Sequence, residues 1–377
     1  MSQPKANQKK QYSKPKLTFL SEEHGNLRFQ LSNVDVSLAN SIRRTMLNDI
    51  PSFVLDADNQ CSVEVNTSRQ HNEILKHRLT CIPVHQAITK RDEMENYIME
   101  VDVNNDTENH MYVTTEHFRI KDKTTNQYLD DARTKEIFPK CDKTNSYILF
   151  ARLRPRISDT IPGERIRLSC GFSVGTSANN SAYTAVSTCS YMYTIDAKKA
   201  MDVWKETEAK LESEKVSKED IQFQKQNFLA LDMQRYPVEN SFDFVVESVG
   251  VYTNRQILYA AIDLLKRHFQ KLLAQIEADE TTILRSTTTM PHCFDVTLEE
   301  GDYTIGPVLQ YFITEAFFKD AKTVDFCGFK KFHPHNTDST LRISFSNQAG
   351  RTDVVQVFKE ACEMAVEFYT ELHKIKL

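Results

Sequence analysis

Hydrophobic and polar positions change their period several times along this chain, and each change marks an element. KLTFL and NLRFQLS, at 16–20 and 26–32, alternate well enough for two short strands, separated by the turn-forming run from Glu22 to Asn26. In VSLANSIRRTMLNDIPSF the period lengthens. Leu38, Ile42, Thr45 and Met46 share one helical face, Ser37 is placed to cap it, and Pro51 ends the element because its ring cannot continue the hydrogen-bond ladder. Arg43 and Arg44 lie off that stripe. From about 58 to 237 come short strand-like runs, CSVEV, YIMEVDV, MYVTT, SYILFARL, RIRLSCGF and SYMYTI, punctuated by polar turns, which predicts a mainly β block. Within it, 198–227 reads as a solvated charged helix with Glu206–Lys210 and Glu214–Lys218 spaced for i,i+4 pairing.

Two strong amphipathic helices follow. The first, at 254–276, carries Ile257, Leu258, Ala261, Leu264, Leu265, Leu272 and Ile276 on a wide apolar stripe. The second, at 353–374, carries Val354, Val355, Phe358, Ala361, Cys362, Ala365, Phe368, Tyr369 and Leu372. Each follows an alternating strand, FDFVVESV or TLRISFS, across a short polar turn. The order of strand, short helix, strand and long helix occurs twice, at 26–47 continued at 242–276 and at 293–318 continued at 340–375. Two half-size α/β units with uncovered helical stripes can cover each other as a pseudo-two-fold pair. On this reading the molecule is built around an internal interface and not around a cleft.

Composition narrows the function classes. The chain has 377 residues, room for two or three domains at roughly 150 residues each. Nine glycines amount to about 2%, against an average of roughly 7%, which leaves little material for glycine-rich phosphate loops or propeller blades. No nucleotide-cradling or hydrolase-elbow motif is present. The formal net charge of -5 gives no global attraction for nucleic acid or anionic membrane. No run approaches a membrane span, and the polar start MSQPKANQKKQYSKPK lacks the apolar stretch of a secretory signal. Residues 1–16, with Lys5, Lys9, Lys10, Lys14 and Lys16 and no acid, read as a flexible basic arm. The eight cysteines form no C-x-x-C pair, and scattered core thiols in a reduced, intracellular protein are expected over disulfides.

Candidate chemistry is sparse. His71, Glu73 and His77 lack the i,i+4 histidine spacing of a helical zinc site. His333, His335 and Asp338 sit around Pro334 in what reads as a turn between strands. The Arg43–Arg44 pair is the most telling polar feature, since guanidinium forks suit carboxylates, phosphates and interface pairs.

These segments resemble a known family. LANSIRRTMLNDIPSF resembles the signature helix of the alpha-like subunits of DNA-dependent RNA polymerase. HNEILKHRLTCIPV, through Glu73, His77, Arg78, Leu79, Ile82 and Pro83, resembles the second signature of the third-largest subunit of eukaryotic polymerase II and its archaeal counterpart. Val246, Glu247, Ser248, Val249 and Gly250 fit the return of that subunit to its dimerisation domain. EEGDYTIGPVLQYFI, with Thr304, Ile305, Gly306 and Leu309, resembles the smaller alpha-like partner, the eleventh subunit. VDFCGFKKFHPHNTDSTLRI, with Gly328, Phe329, His333, Pro334, Leu341 and Arg342, resembles that subunit's next signature.

The resemblance implies an α+β fold: two alpha-subunit-like α/β dimerisation units paired by long helices within one chain, the first interrupted by an inserted mainly β domain. The boundaries expected are 17–57 with 238–280, the insert at 58–237, and the eleventh-subunit-like unit at 281–377. The function implied is a non-catalytic assembly platform that recruits the second-largest and largest polymerase subunits, beside small subunits like the tenth and twelfth of polymerase II. DNA is then met only through the complex, and neither membrane binding nor homo-oligomerisation is expected.

By the same resemblance Asn40, Arg43, Arg44, Glu73, His77, Arg78 and Pro83 face the large subunits, with Arg44 on a partner's carboxylate or carbonyl. The internal interface is expected to hold Leu38, Ile42, Leu258, Ala261, Leu265, Leu272, Thr304, Gly306, Leu309, Phe358, Ala365 and Phe368. No catalytic residue or cofactor is implied. Relatives that bind zinc use clustered cysteines in the insert, and 86–110 holds no Cys, so no metal is expected. Fusions of this kind are associated with large DNA viruses of eukaryotes, which leads to an expectation of a viral source, with the chain in the virion and host cytoplasm or nucleus. The alternative reading is a DNA-binding accessory factor that uses the basic arm.

Overall fold

A computed structural model describes residues 14–141, 143–158, 160–286, 290–299 and 301–377. The basic arm expected at 1–16 therefore lies almost wholly outside the described residues. The chain opens with β1 (Lys16–Glu23), β2 (Asn26–Ser32), α1 (Val36–Asn48), β3 (Ser52–Leu55), β4 (Cys61–Asn66) and α2 (Asn72–Thr80). It continues through α3 (Arg91–Glu95), β5 (Tyr97–Asn104), β6 (Met111–Thr114), β7 (Arg119–Asp122), α4 (Asp131–Ile137), β8 (Leu149–Leu153) and β9 (Arg165–Gly175). Then come β10 (Val186–Ile195), α5 (Ala197–Ser213), α6 (Lys218–Ala230), β11 (Pro237–Ser248) and α7 (Asn254–Glu277). The last stretch holds β12 (Ile283–Arg285), β13 (Cys293–Leu298), α8 (Gly306–Ile313), β14 (Val324–Lys330), β15 (Ser339–Phe345) and α9 (Arg351–Lys374). The described residues divide into two compact units, one comprising the segments up to Met46, Thr188–Glu247 and Leu258–Leu377, the other Leu47–Ser187 with Ser248–Ile257.

The first unit contains two antiparallel four-stranded sheets, ordered β1-β2-β11-β10 and β12-β13-β15-β14. In the first sheet Leu27, Phe29 and Leu31 stand opposite Val246, Phe244 and Phe242, all wholly buried. Phe29 and Phe244 stack at 4.9 Å. One face of this sheet is thus sealed by cross-strand pairs. His24 and Gly25 both take positive φ, 53° and 83°, as a two-residue hairpin turn requires.

Helix α1 buries Leu38, Ile42, Thr45 and Met46 as its period predicts, and Ser41 with them. Its start differs from expectation. Asp35, not Ser37, receives the first orphan donors, accepting from Ser37 N at 2.8 Å and Ser37 Oγ at 2.6 Å. In α7 the stripe is turned from the one expected: Ile262 and Phe269 are wholly buried, while Leu264 and Leu272 are only half-buried. In α9 the stripe is as expected except that Val357 is buried and Val355 half-buried.

These helices meet. Tyr369 of α9 stacks on Phe269 of α7 with ring centres 5.8 Å apart, and its hydroxyl lies 2.7 Å from Ser41 Oγ of α1. Tyr259 of α7 donates to the Ile375 carbonyl at 2.9 Å, and Lys359 of α9 pairs with Glu277 at 2.6 Å. Phe312 of α8 packs edge-on against Phe368 at 6.4 Å. Gly306 opens α8 where a side chain has no room: a Cβ there would lie 2.0 Å from the Phe329 ring.

Two expectations for the β-rich block change. SYMYTI forms β10, but β10 borders β11 in the first unit's sheet. The charged stretch is two helices: α5 ends at Ser213 with Glu214 as its C-cap, Lys215 turns to φ 58°, and Ser217 caps α6 by accepting from Asp220 N. Glu214 and Lys218 consequently do not share a helix. Trp204 of α5 lies 5.4 Å from Phe228 of α6 in a small core of their own.

The second unit is built on β9, the longest strand in the order β3-β9-β5-β7, with β4 alongside β9. Phe118, Phe138, Phe150 and Phe172 centre its core. The short helices α3 and α4 interrupt what the sequence reads as strands and turns alone. Among the described residues no helix is long and apolar enough to cross a membrane.

Candidate functional site

The residues singled out in the sequence fall into two groups, one in each unit. On α1, Asn40, Arg43 and Arg44 lie off the buried stripe, all half-buried. Arg43 donates through Nε and Nη2 to Asn40 Oδ1, at 3.1 and 2.9 Å. The i,i+3 spacing places that amide one turn below the guanidinium. Arg43 also lies close enough to β10 to oppose the effect of burial on Cys189, whose thiol is pushed up to about 12.

Arg44 is engaged within the chain. Its Nη2 meets Asp302 Oδ2 at 2.8 Å and its Nε donates to Thr304 Oγ1 at 3.0 Å. The carboxylate expected on a partner is supplied by this same chain, 258 residues downstream. Asp302 is fixed in turn by the Thr304 backbone N–H at 2.7 Å. Burial works against its ionisation, but the hydrogen bonds from Arg44 and Thr304 outweigh burial and hold the carboxyl below its usual range. Arg44 thus ties α1 to the loop before α8.

In the second unit, Glu73 and His77 project one helical turn apart from the exposed side of α2. With Lys76, Pro83, Asp58 and Ser52 they line an open cleft of about 430 Å³. Arg78 points away from it. Its Nε donates to the Phe150 carbonyl at 2.6 Å and its Nη2 to the Leu149 carbonyl at 2.8 Å, so it fastens α2 to β8. The guanidinium expected to face a partner thus has its Nε and Nη2 engaged on backbone oxygens of its own chain. The structure brings Glu73, His77 and Pro83 together and leaves Arg78 out.

Of the residues expected at the internal interface, Leu38, Ile42, Leu258, Ala261, Leu265, Thr304, Leu309, Phe358, Ala365 and Phe368 are buried, as is Gly306. Leu272 is half-buried. Sequence reasoning missed Ser41, Phe269 and Asp302. Ser41 sits three residues after Leu38 on the same helical face, and that spacing is the signal that could have found it. Asp302 carries no periodic signal at all.

Among the described residues no group of three or more His, Cys, Asp or Glu could hold a metal ion. His333 and His335 lie with ring centres 5.0 Å apart in the segment between β14 and β15.

Comparison with known proteins places these elements. The profile of the RNA polymerase Rpb3/Rpb11 dimerisation domain matches residues 28–269. The chain is 23% identical over 308 residues to subunit 3 of DNA-directed RNA polymerases II, IV and V of Arabidopsis thaliana, covering 72% of this chain and 92% of that protein. It is 22% identical over 276 residues to DNA-directed RNA polymerase II subunit RPB3 of Schizosaccharomyces pombe, covering 72% and 91%. Subunit Rpo3 of the Pyrococcus furiosus polymerase is 35% identical over 83 residues, 22% of this chain and 30% of that protein. The profile spans more than half of the chain and takes in α1, α2 and most of α7. The protein belongs to the RNA polymerase Rpb3/Rpb11 dimerisation-domain family.

Proposed function

We propose that this chain is a non-catalytic assembly platform of a multisubunit DNA-dependent RNA polymerase, in which two alpha-like dimerisation units form the heterodimer within one polypeptide. The observation that carries the polymerase assignment is the family match across 28–269, together with relatives named as third subunits of such enzymes. The single-chain form of the heterodimer is supported by the packing of α1 and α7 against α9 through Ser41, Phe269 and Tyr369. It is supported also by the eleventh-subunit-like motifs at 299–313 and 324–343, which lie beyond the matched range. Covalent linkage would keep the halves at high effective concentration, so pairing is no longer a bimolecular step.

On this reading the first dimerisation unit is 17–57 with 238–280, interrupted by the mainly β insert at 58–237, and the second dimerisation unit is 281–377. The faces offered to the second-largest subunit, and through it to the largest, are the Asn40–Arg43 side of α1 and the cleft with Glu73, His77 and Pro83. Subunits like the tenth and twelfth of polymerase II complete the platform. A viral source, and a site of action in virion or host cell, follow from the fused arrangement alone. Affinity purification of the tagged full chain from its own source, followed by mass spectrometry, tests the proposal. Both large polymerase subunits are expected in the eluate; a chain recovered without either would overturn it.

A further inference from the structure

One feature of the second unit belongs to neither face. In the register of β4 against β9, Cys61 stands directly opposite Cys170. All eight cysteines are thiols, and this pair is placed for chemistry that its neighbours enforce. β3 and β4 share one side of β9 end to end, and the turn between them closes on Gly171: its carbonyl accepts from Asp56 N at 2.9 Å and its N–H donates to the Gln60 carbonyl at 3.0 Å. A Cβ at Gly171 would lie 2.3 Å from Gln60 Oε1, so the turn presses directly on β9 at this point. With the bond at Gln60–Gly171 made, the next rung is the non-hydrogen-bonded kind, in which opposed Cα atoms lie about 4.5 Å apart and side chains come closest. That separation is inside the roughly 4.4–6.8 Å that disulfides span.

We propose that Cys61 and Cys170 are a redox-modifiable dithiol, oxidised by a small hydroperoxide to a disulfide that staples the edge strand β4 to the central strand β9. The two sulfurs have different parts. Cys61 is half-buried and reachable by a small oxidant, whereas Cys170 is wholly buried. The Cys170 S–H donates to the Gly171 carbonyl at 3.5 Å, while the adjoining Cys170 side chain and the nearby Lys76 ammonium outweigh burial and make Cys61 the more acidic thiol. The adjoining Cys61 side chain and its own burial hold Cys170 protonated. Cys61 is therefore the nucleophile and Cys170 the resolving thiol.

The steps balance. The Cys61 thiolate attacks one oxygen of hydrogen peroxide, the O–O bond breaks, and hydroxide leaves a sulfenic acid. Cys170 gives up its proton and its sulfur displaces the sulfenic hydroxyl, forming the S–S bond and releasing water. Two thiols are oxidised by two electrons and one peroxide is reduced. β4 runs through the Asn66–Gln70 turn into α2, where Asn66 Nδ2 holds the Gln70 carbonyl at 2.7 Å, so the staple anchors the chain that leads to Glu73 and His77.

The test treats the reduced full chain with hydrogen peroxide, quenches in acid, alkylates remaining thiols and maps peptides without reductant. The expected result is a Cys61–Cys170 linked peptide, two hydrogens lighter than its parts, which dithiothreitol abolishes. Cys170→Ser is expected to leave Cys61 as a sulfenic acid captured by dimedone. If Cys61 and Cys170 are alkylated to the same extent with and without peroxide while exposed Cys81 is oxidised, the proposal is overturned. A link from Cys61 to any other cysteine overturns it equally. The wild-type map decides the matter even where the variant fails to fold.

Discussion

Ser41 and Tyr369, 328 residues apart in sequence, share a buried hydrogen bond of 2.7 Å between helices α1 and α9. Ser41 Oγ also lies 2.6 Å from the Leu38 carbonyl. Because the serine has one proton and a carbonyl can only accept, that proton goes to Leu38 and Tyr369 is the donor to Ser41.

That direction ranks two substitutions. Tyr369→Phe removes the donor and leaves Ser41 still bonded to Leu38, at a cost of about 1 kcal/mol. Ser41→Ala leaves a wholly buried phenol without its acceptor, which costs roughly 1–3 kcal/mol. Urea unfolding of the two variants is expected to show Ser41→Ala as the less stable; the reverse order would mean that the donor is assigned wrongly.

Phe269 supports the same junction by packing alone. Phe269→Ala opens a cavity beneath Tyr369 and is expected to lower stability by about 3–5 kcal/mol. Leu272→Ala, at a half-buried position of the same helix, is expected to cost markedly less. Denaturation midpoints of the two variants check the difference.

The Arg44–Asp302 pair makes stability depend on acid. Asp302 ionises more readily in the folded chain than at its ordinary value of 3.8. Its contribution is therefore complete above that value and drains away as pH falls below it, through the folded value. With side chains 27% and 36% exposed, the pair is worth no more than about 1 kcal/mol. Asp302→Asn is expected to be less stable than wild type at neutral pH and to approach it as pH drops below the carboxyl range. Unfolding curves at both pH values test this, and a gap that widens in acid would contradict it.

Arg78 and its helix neighbours separate structure from binding. Arg78→Ala leaves the Phe150 and Leu149 carbonyls without their charged donor and is expected to cost about 1–3 kcal/mol. Glu73→Ala with His77→Ala, on the exposed side of α2, should change stability by no more than about 0.5 kcal/mol each. On the proposed function the double variant instead recovers less of the large subunits in a pull-down. Wild-type recovery would remove the cleft from the partner-binding face.

What the sequence made legible was set by burial on one face. Leu27, Phe29 and Leu31 alternate because the β2 side they share is sealed, and α9 keeps its period because it is covered along its length. The cap of α1 was misplaced at Ser37 because serine is a good cap residue by type, and only the folded turn shows Asp35 accepting its donors. The break at Lys215 was hidden because the left-handed turn there uses neither glycine nor proline. Phe269 and Ile262 escaped because α7 is apolar on more than one side, and only its neighbours decide which residues are sealed. Arg44 with Asp302, Arg78 with the β8 carbonyls, and Cys61 with Cys170 are pairings of distant segments. Local period carries no trace of them.

On the proposed function, the front and rear portions of the chain form one alpha-like pair that holds a polymerase together. That pairing is tested most directly by placing a site-specific protease sequence in the turn after α7, at 278–282, and cutting the assembled complex purified from its source. Both fragments and the two large subunits are expected to elute together still. A rear fragment that leaves the complex on cleavage, with the front fragment and large subunits unaffected, would contradict it.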